Sequence, residues 1–310
     1  MAVKLVATAV MAGMVSMAAG CGESPGGPST GSWLTLAPMP EARQEIATAV
    51  LDGRVYVIGG FDAAGQSTSS VFVYNSQTNA WSAAASLPII NNHGAAAVAN
   101  GQLFAFGGVS NRVFVYNPAA NSWSDVAPMN FEHGNTAAVA VINNRIYVAG
   151  GTGGTQRELE VYDPVANSWT VLAPMSVGRN HCAGGAIGGR FYVVGGRGVD
   201  GADRALEAYD PVANVWTTRA MMPTGRSGIG AGVVGGRLYV FGGEIPAIHA
   251  EIEAYDPASD TWEQLAPMPT PKHGIWASVF GNTFHLPGGA TVQGLGATAS
   301  YEVFTVITPR

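Results

Sequence analysis

Charge is scarce in this chain: Asp, Glu, Lys and Arg make up 12% of its 310 residues, about half the share of an ordinary globular protein. The 15 lysines and arginines are scattered and the net charge is −6, so no cluster can follow a phosphate backbone and nucleic acid is excluded as a partner. Cysteine is nearly absent. Cys21 and Cys182 are the two, which leaves the repeats described below with one thiol and no internal disulfide framework. Apolar runs long enough to span a membrane are also missing: residues 5–19 form a run of fifteen, short of the roughly 20 that a spanning helix needs.

That run sits behind a short positive start containing Lys4, and small residues follow it at Ala18, Ala19 and Gly20. The arrangement is that of a secretory signal peptide over residues 1–20. A cysteine directly after the small residues resembles the lipobox of bacterial lipoproteins, which implies that Cys21 becomes a lipidated mature N-terminus. The chain has Ala18 where that motif usually has leucine, so ordinary secretion with Cys21 near the cut stays open as the alternative. Residues 21–31, rich in Gly, Pro and Ser, read as a flexible tether. Both alternatives predict export to the bacterial cell envelope, lipid-anchored or periplasmic to extracellular, with no membrane contact beyond an N-terminal anchor.

Glycine, by contrast, is abundant at 42 residues, and it is placed periodically. Hydrophobic runs end in the doublets Gly59-Gly60, Gly107-Gly108, Gly150-Gly151, Gly195-Gly196, Gly242-Gly243 and Gly288-Gly289, spaced by 48, 43, 45, 47 and 46 residues. Such a period is that of propeller blades with four short strands each. After the first five doublets comes a tyrosine, at positions 74, 116, 162, 209 and 255, with a tryptophan seven residues later. Turn chemistry such as Asp163-Pro164 lies between them, which makes each pair a hairpin. Small residues dominate the first strand of each repeat, as at Ala95-Ala96-Ala97. That suits an axis where blades converge, while Tyr and Trp fill the wedges farther out as core.

An apolar strand ending in Gly-Gly, then Tyr, then Trp at fixed distance, then Leu-Ala-Pro-Met, resembles the kelch repeat. The likeness runs over about residues 32–306 in six registered copies. It implies an all-β, six-bladed kelch-type β-propeller over residues 32–310. The fourth-strand motif at residues 33–39 has no blade before it, and the last repeat stops at its third strand, so an N-terminal outer strand is expected to close the ring. His285 stands in the last repeat where Tyr239 stands in the fifth.

Ligands of propellers sit on loops at one face and around the channel mouth. Sixteen residues before each doublet stand Arg43, Asn91, Gly134, Arg179, Arg226 and Lys272; two places later stand Glu45, His93, Thr136, His181, Gly228 and Gly274. A period of two would put both rows on one side of their strands. Arg226-Ser227-Gly228 matches a sequence that lines the binding face in kelch domains taking acidic peptides. The expected ligand-binding set is therefore Arg43, His93, Arg179, His181, Arg226 and Lys272, with a preference for acidic groups because guanidinium binds carboxylates bidentately. The alternative is that these cations hold backbone carbonyls or acidic loop residues. Asp62, Arg157, Arg197, Glu244 and His249 add polar groups to the same face.

Three functions fit such a scaffold. One is a monomeric interaction module for an unknown protein, or for an acidic or carbohydrate ligand. Another is a sugar enzyme, because bacterial N-acetylneuraminate epimerases are exported six-bladed kelch proteins with a glutamate after a doublet and an arginine close behind. Glu244 would be that catalytic glutamate, with its arginine supplied by Arg226 or another loop. The third is a copper enzyme resembling galactose oxidase, which needs a cysteine cross-linked to tyrosine and a paired-histidine motif that the chain lacks. His93, His133, His181 and His273 recur near the inner-strand starts, yet come from different blades. No metal ligand and no cofactor is assigned from the sequence.

Overall fold

A computed structural model describes residues 30–198 and 203–307; the stretch read as a signal peptide and Cys21 lie outside them. Six four-stranded antiparallel sheets are arranged as the blades of a propeller. Blade 1 runs outward through Ala47–Leu51, Arg54–Ile58, Val71–Asn75 and Ala80–Ala84. The innermost strands of the next five blades are Gly94–Ala99, Ala138–Ile142, Ala183–Ile187, Gly230–Val234 and Ser278–Phe280. The sixth blade is closed by Thr30–Thr35, paired from Thr30↔Ile307 to Thr35↔Glu302. The N-terminal outer strand thus completes the last repeat as expected, beginning at Thr30 within the stretch read as tether.

The glycine doublets are the joints between blades. A Cβ on Gly59 would stand 2.6 Å from Asn91 O, and one on Gly242 would stand 2.2 Å from Lys272 O. Side chains are therefore excluded there, and φ is positive at both glycines of the doublet. In the doublets of blades 1, 3, 4, 5 and 6 the second glycine donates its N–H to the next blade, as in Gly60 to Asn91 O at 2.8 Å and Gly243 to Lys272 O at 2.9 Å. The same link joins blade 6 to blade 1 through Gly289 and Arg43 O.

The outer latch explains the Tyr–Trp spacing. Tyr74 and Trp81 are cross-strand partners with ring centroids 5.2 Å apart. The Tyr74 hydroxyl donates to Asn79 Oδ1 at 2.7 Å, that oxygen also accepts from Ala37 N at 3.0 Å, and Trp81 Nε1 donates to Ala37 O at 2.8 Å. Asn79 holds φ 49°, a conformation Asn and Asp tolerate best among non-glycine residues. Asn121, Asn167, Asn214 and Asp260 repeat the device. The seam between blades 5 and 6 lacks it: Phe304 replaces the tyrosine and Trp33 Nε1 is buried with no hydrogen-bond partner among the described residues.

Between blades 6 and 1 the filling is different. His285 Nδ1 meets the Tyr301 hydroxyl, and Tyr301 packs edge-on against Tyr74 at 4.8 Å. Burial pushes the His285 pKa down to about 4. The unfolded chain takes up this proton near 6.5, whereas the folded chain resists until about 4, so the contribution is complete above pH 6.5 and is lost as pH falls toward 4. It amounts to about 3 kcal/mol. Melting temperatures measured across that window should fall less steeply for His285→Phe than for the unsubstituted protein, and parallel curves would dismiss this assignment.

Candidate functional site

At the start of each inner strand the chain makes a left-handed step, joined in blade 3 by left-handed His133 and Asn135. Glu45, His93, Thr136, His181, Gly228 and Gly274 hold φ of 51°, 52°, 55°, 50°, 63° and 60°. Left-handed backbone costs a non-glycine residue roughly 1–2 kcal/mol, so it persists where the surroundings fix it. What fixes it is a belt of hydrogen bonds around the axis. Each N–H in this row donates to the preceding blade: Glu45 to Gly274 O, His93 to Glu45 O, Thr136 to His93 O, Gly228 to His181 O and Gly274 to Gly228 O, at 2.9–3.0 Å. His181 completes the turn one residue early, on Asn135 O at 2.7 Å.

This step breaks the period of two between the rows, and the two rows part company. Arg43, Arg179, Arg226 and Lys272 turn into their blades and are buried, so they do not line the mouth as the sequence led us to expect. Arg226 pairs with Glu253 and donates to Gly242 O at 2.8 Å and Thr224 O at 3.0 Å. Arg179 is 3.1 Å from both Glu207 and Val193 O, and Lys272 is 3.0 Å from Glu302 and 3.1 Å from Leu286 O. Arg43 pairs with Glu41 and lies 5.5 Å over the Phe72 ring. Burial lowers the pKa of Arg179 and Lys272, opposed by their glutamates. In blade 3 His133 substitutes for the arginine, 3.1 Å from Glu160 and 2.6 Å from Gly150 O.

The second row faces the axis. His93, His181 and Glu45 meet at the channel mouth with His273, Arg197 and Glu244 around a cavity of about 180 Å³. Arg197 bonds Glu244 and donates to Ser227 Oγ at 2.9 Å. His273 Nδ1 lies 3.3 Å from Glu244 and 3.6 Å from Glu45. The His93 and His181 rings stand edge to face at 5.0 Å. Burial, then the Glu244 charge, push Glu45 up to about 7 against the pull of Arg197. Burial, then Arg197, bring His93 down to about 4 and His181 to about 2, and burial also lowers His273. Both channel histidines are therefore neutral at pH 7.

Below the mouth an axial channel of about 370 Å³ is lined by small and branched residues including Val50, Val98, Val139 and Val233. Trp276 occupies a register position held by Ala or Gly in the other blades. It packs on the apolar cluster of blades 2 and 3, which takes it across the axis. Cys182 is fully buried, and burial raises its thiol pKa. It is absent from the residues lining the mouth, so the tyrosine–cysteine chemistry of a copper oxidase has no basis there.

Of the six residues expected to bind ligand, the structure brings His93 and His181 to the mouth, together with the catalytic candidate Glu244. Glu45, Arg197 and His273 join them. The signal that could have singled out the group is the dipeptide Asn-His, which recurs at one register position as Asn92-His93 and Asn180-His181.

The sequence matches the KLHDC2/KLHL20/DRC7 Kelch-repeats domain over residues 29–183 and 92–289. It is 40% identical over 80 residues to the F-box/kelch-repeat protein At1g67480 of Arabidopsis thaliana, covering 26% of this chain and 21% of that protein. Kelch-like protein 33 of Homo sapiens is 39% identical over 83 residues, covering 26% of this chain and 15% of its own length. The aligned segment thus spans about a fifth or less of these curated relatives. The solved "Structure of YjhT" superposes with a TM-score of 0.76 at 18% identity, covering 88% of this chain and 99% of that one, a likeness of fold.

Proposed function

Since the chain belongs to the kelch-repeat family, we propose that it is an exported interaction module that receives a protein partner on the face carrying the channel mouth. One observation carries this reading: an exposed apolar ledge built by the long loops of blades 5 and 6. Ile245, Val292 and Leu295 are 47%, 52% and 60% exposed. The loops beneath them are welded, with Gln293 Nε2 donating to Pro246 O at 3.0 Å and Gln44 bonding Gly294 O and Gly296 N at 2.7 Å each. A rigid apolar surface beside a polar recess is the anatomy of a protein-binding patch.

With the four inner cations buried, a preference for acidic groups falls to Arg197, whose side chain is 36% exposed. The fitting partner segment places an apolar side chain on the ledge and a carboxylate or hydroxyl against Arg197. Photocrosslinking from position 295 should capture such a partner from the cell-envelope fraction, and Ile245→Asp should reduce capture at least tenfold with the melting temperature unchanged. Equal capture by the variant would sink the proposal. The same fractionation reads export, because Cys21→Ser should release the protein from the membrane pellet if Cys21 is lipidated.

The contact between Arg197 and Glu244 favours a second reading. It supplies from the neighbouring blade the arginine that the resemblance to N-acetylneuraminate epimerase requires beside the glutamate. Anomerisation of sialic acid, abolished by Glu244→Gln, would support that activity, and no acceleration over the uncatalysed rate would remove it.

A further inference from the structure

His93 and His181 are set up alike. Each Nδ1 lies 2.5 Å from Oδ1 of the asparagine before it. The same amides bond outward as donors, Asn92 Nδ2 to Ser67 Oγ at 2.7 Å and Asn180 Nδ2 to Gln156 Oε1 at 3.1 Å. An amide oxygen accepts and cannot donate, so each imidazole proton sits on Nδ1 and each Nε2 keeps a lone pair. His93 Nε2 points at Glu45 Oε2 from 3.4 Å. One donor atom from each of Glu45, His93 and His181 fits within 4.8 Å of the others.

His273 adds to the same imbalance. Its Nε2 meets Val292 O at 3.0 Å, and a carbonyl requires a donor, so in the neutral ring Nδ1 is the acceptor. That Nδ1 is buried with no hydrogen-bond partner among the described residues and faces carboxylate oxygens of Glu45 and Glu244. Acceptors facing acceptors in a buried recess are unfavourable unless a cation lies among them. Arg197 acts on this recess from its edge, since its bonds go to Glu244 and Ser227 and not to the lone pairs of Glu45, His93, His181 or His273.

We propose that Glu45, His93 and His181 bind a divalent transition-metal ion at the channel mouth, of the Zn²⁺ or Fe²⁺ class, with His273 standing behind it. Two imidazoles and one carboxylate on one side of an ion, with open positions on the other, are the donor set these ions take. Tetrahedral ligands at about 2.1 Å stand about 3.4 Å apart, the separation already present between His93 and Glu45. The other separations, at most 4.8 Å, exceed that value and must shorten when the ion binds. Asn92 and Asn180 fix ring orientation in the way that outer-shell partners of metal-bound histidines do. The open positions face the cavity, where an oxygen of a bound partner could complete the coordination.

The test is titration of the metal-stripped protein with Co²⁺ and Zn²⁺, read by visible absorption, calorimetry and metal content after gel filtration. One ion per chain is expected. His93→Asn and His181→Asn are the variants of choice, because asparagine tolerates the left-handed backbone that alanine would strain. Each of them and Glu45→Gln should weaken binding more than tenfold at an unchanged melting temperature, and Asn92→Ala about tenfold, whereas His249→Ala should bind as the parent does. Absence of saturable binding in the parent protein at millimolar metal would overturn the proposal and leave a proton on Glu45 as the balancing charge. Undiminished binding in a folded His93→Asn, His181→Asn double variant would overturn it as well.

Discussion

Replacing Arg226 with alanine is expected to destabilise the propeller by about 3–5 kcal/mol, the usual cost of leaving one partner of a buried ion pair alone. In the native blade this guanidinium touches Glu253 and the carbonyls of Thr224, Val240 and Gly242. Removing it strands a carboxylate that is 1% exposed beside unpaired carbonyl oxygens. The double variant Arg226→Met, Glu253→Leu should recover much of the loss, because the stranded charge goes too. Urea denaturation of the two single variants and the double variant measures the coupling. A melting temperature within a degree or two of the parent for Arg226→Ala would mean that the cation is not structural and that its role must be sought at a ligand.

Deleting residues 30–40 should be more damaging still. The cut removes the strand paired with Tyr301–Ile307 and with it Trp33, which packs on Phe241 and Phe304. The third strand of blade 6 then becomes an open edge, and the ring loses the Ala37 oxygen to which Trp81 donates. An exposed apolar edge templates association with other chains. The expected result is a fall in melting temperature on the order of 10 °C or more, or loss of soluble protein, whereas deletion of residues 22–29 should leave melting unchanged. Equal melting of the two truncations would refute closure by this strand.

The architecture was legible because the residues that build it recur in every copy. Glycine doublets, Tyr–Trp pairs and alanine-rich inner strands each answer a constraint that six converging blades impose, so counting them gave both blade number and closure. The ligand face was misread for a local reason. Arg226 and Gly228 are two residues apart, as an extended strand would need to share a face, but Gly228 is left-handed and sends the arginine inward. Nothing in the letters distinguishes that step from a strand when the residue is Glu45 or His93 rather than glycine. The partners of the buried cations, Glu207, Glu253 and Glu302, were visible as a repeated glutamate in the third strands. The mouth cluster was harder to see, since Glu45, His93, His181 and His273 belong to four different repeats and only closure of the ring assembles them.

The belt of hydrogen bonds around the axis separates shape from content. Because each of the six stations is held by its main chain, whatever side chain stands there is presented from a fixed base, like an interchangeable tooth on a chuck. Two stations, Gly228 and Gly274, present nothing at all. A chuck of this kind can be re-tooled one position at a time, most simply with asparagine or histidine, and the chemistry at the mouth changes while the six blades behind it stay as they are.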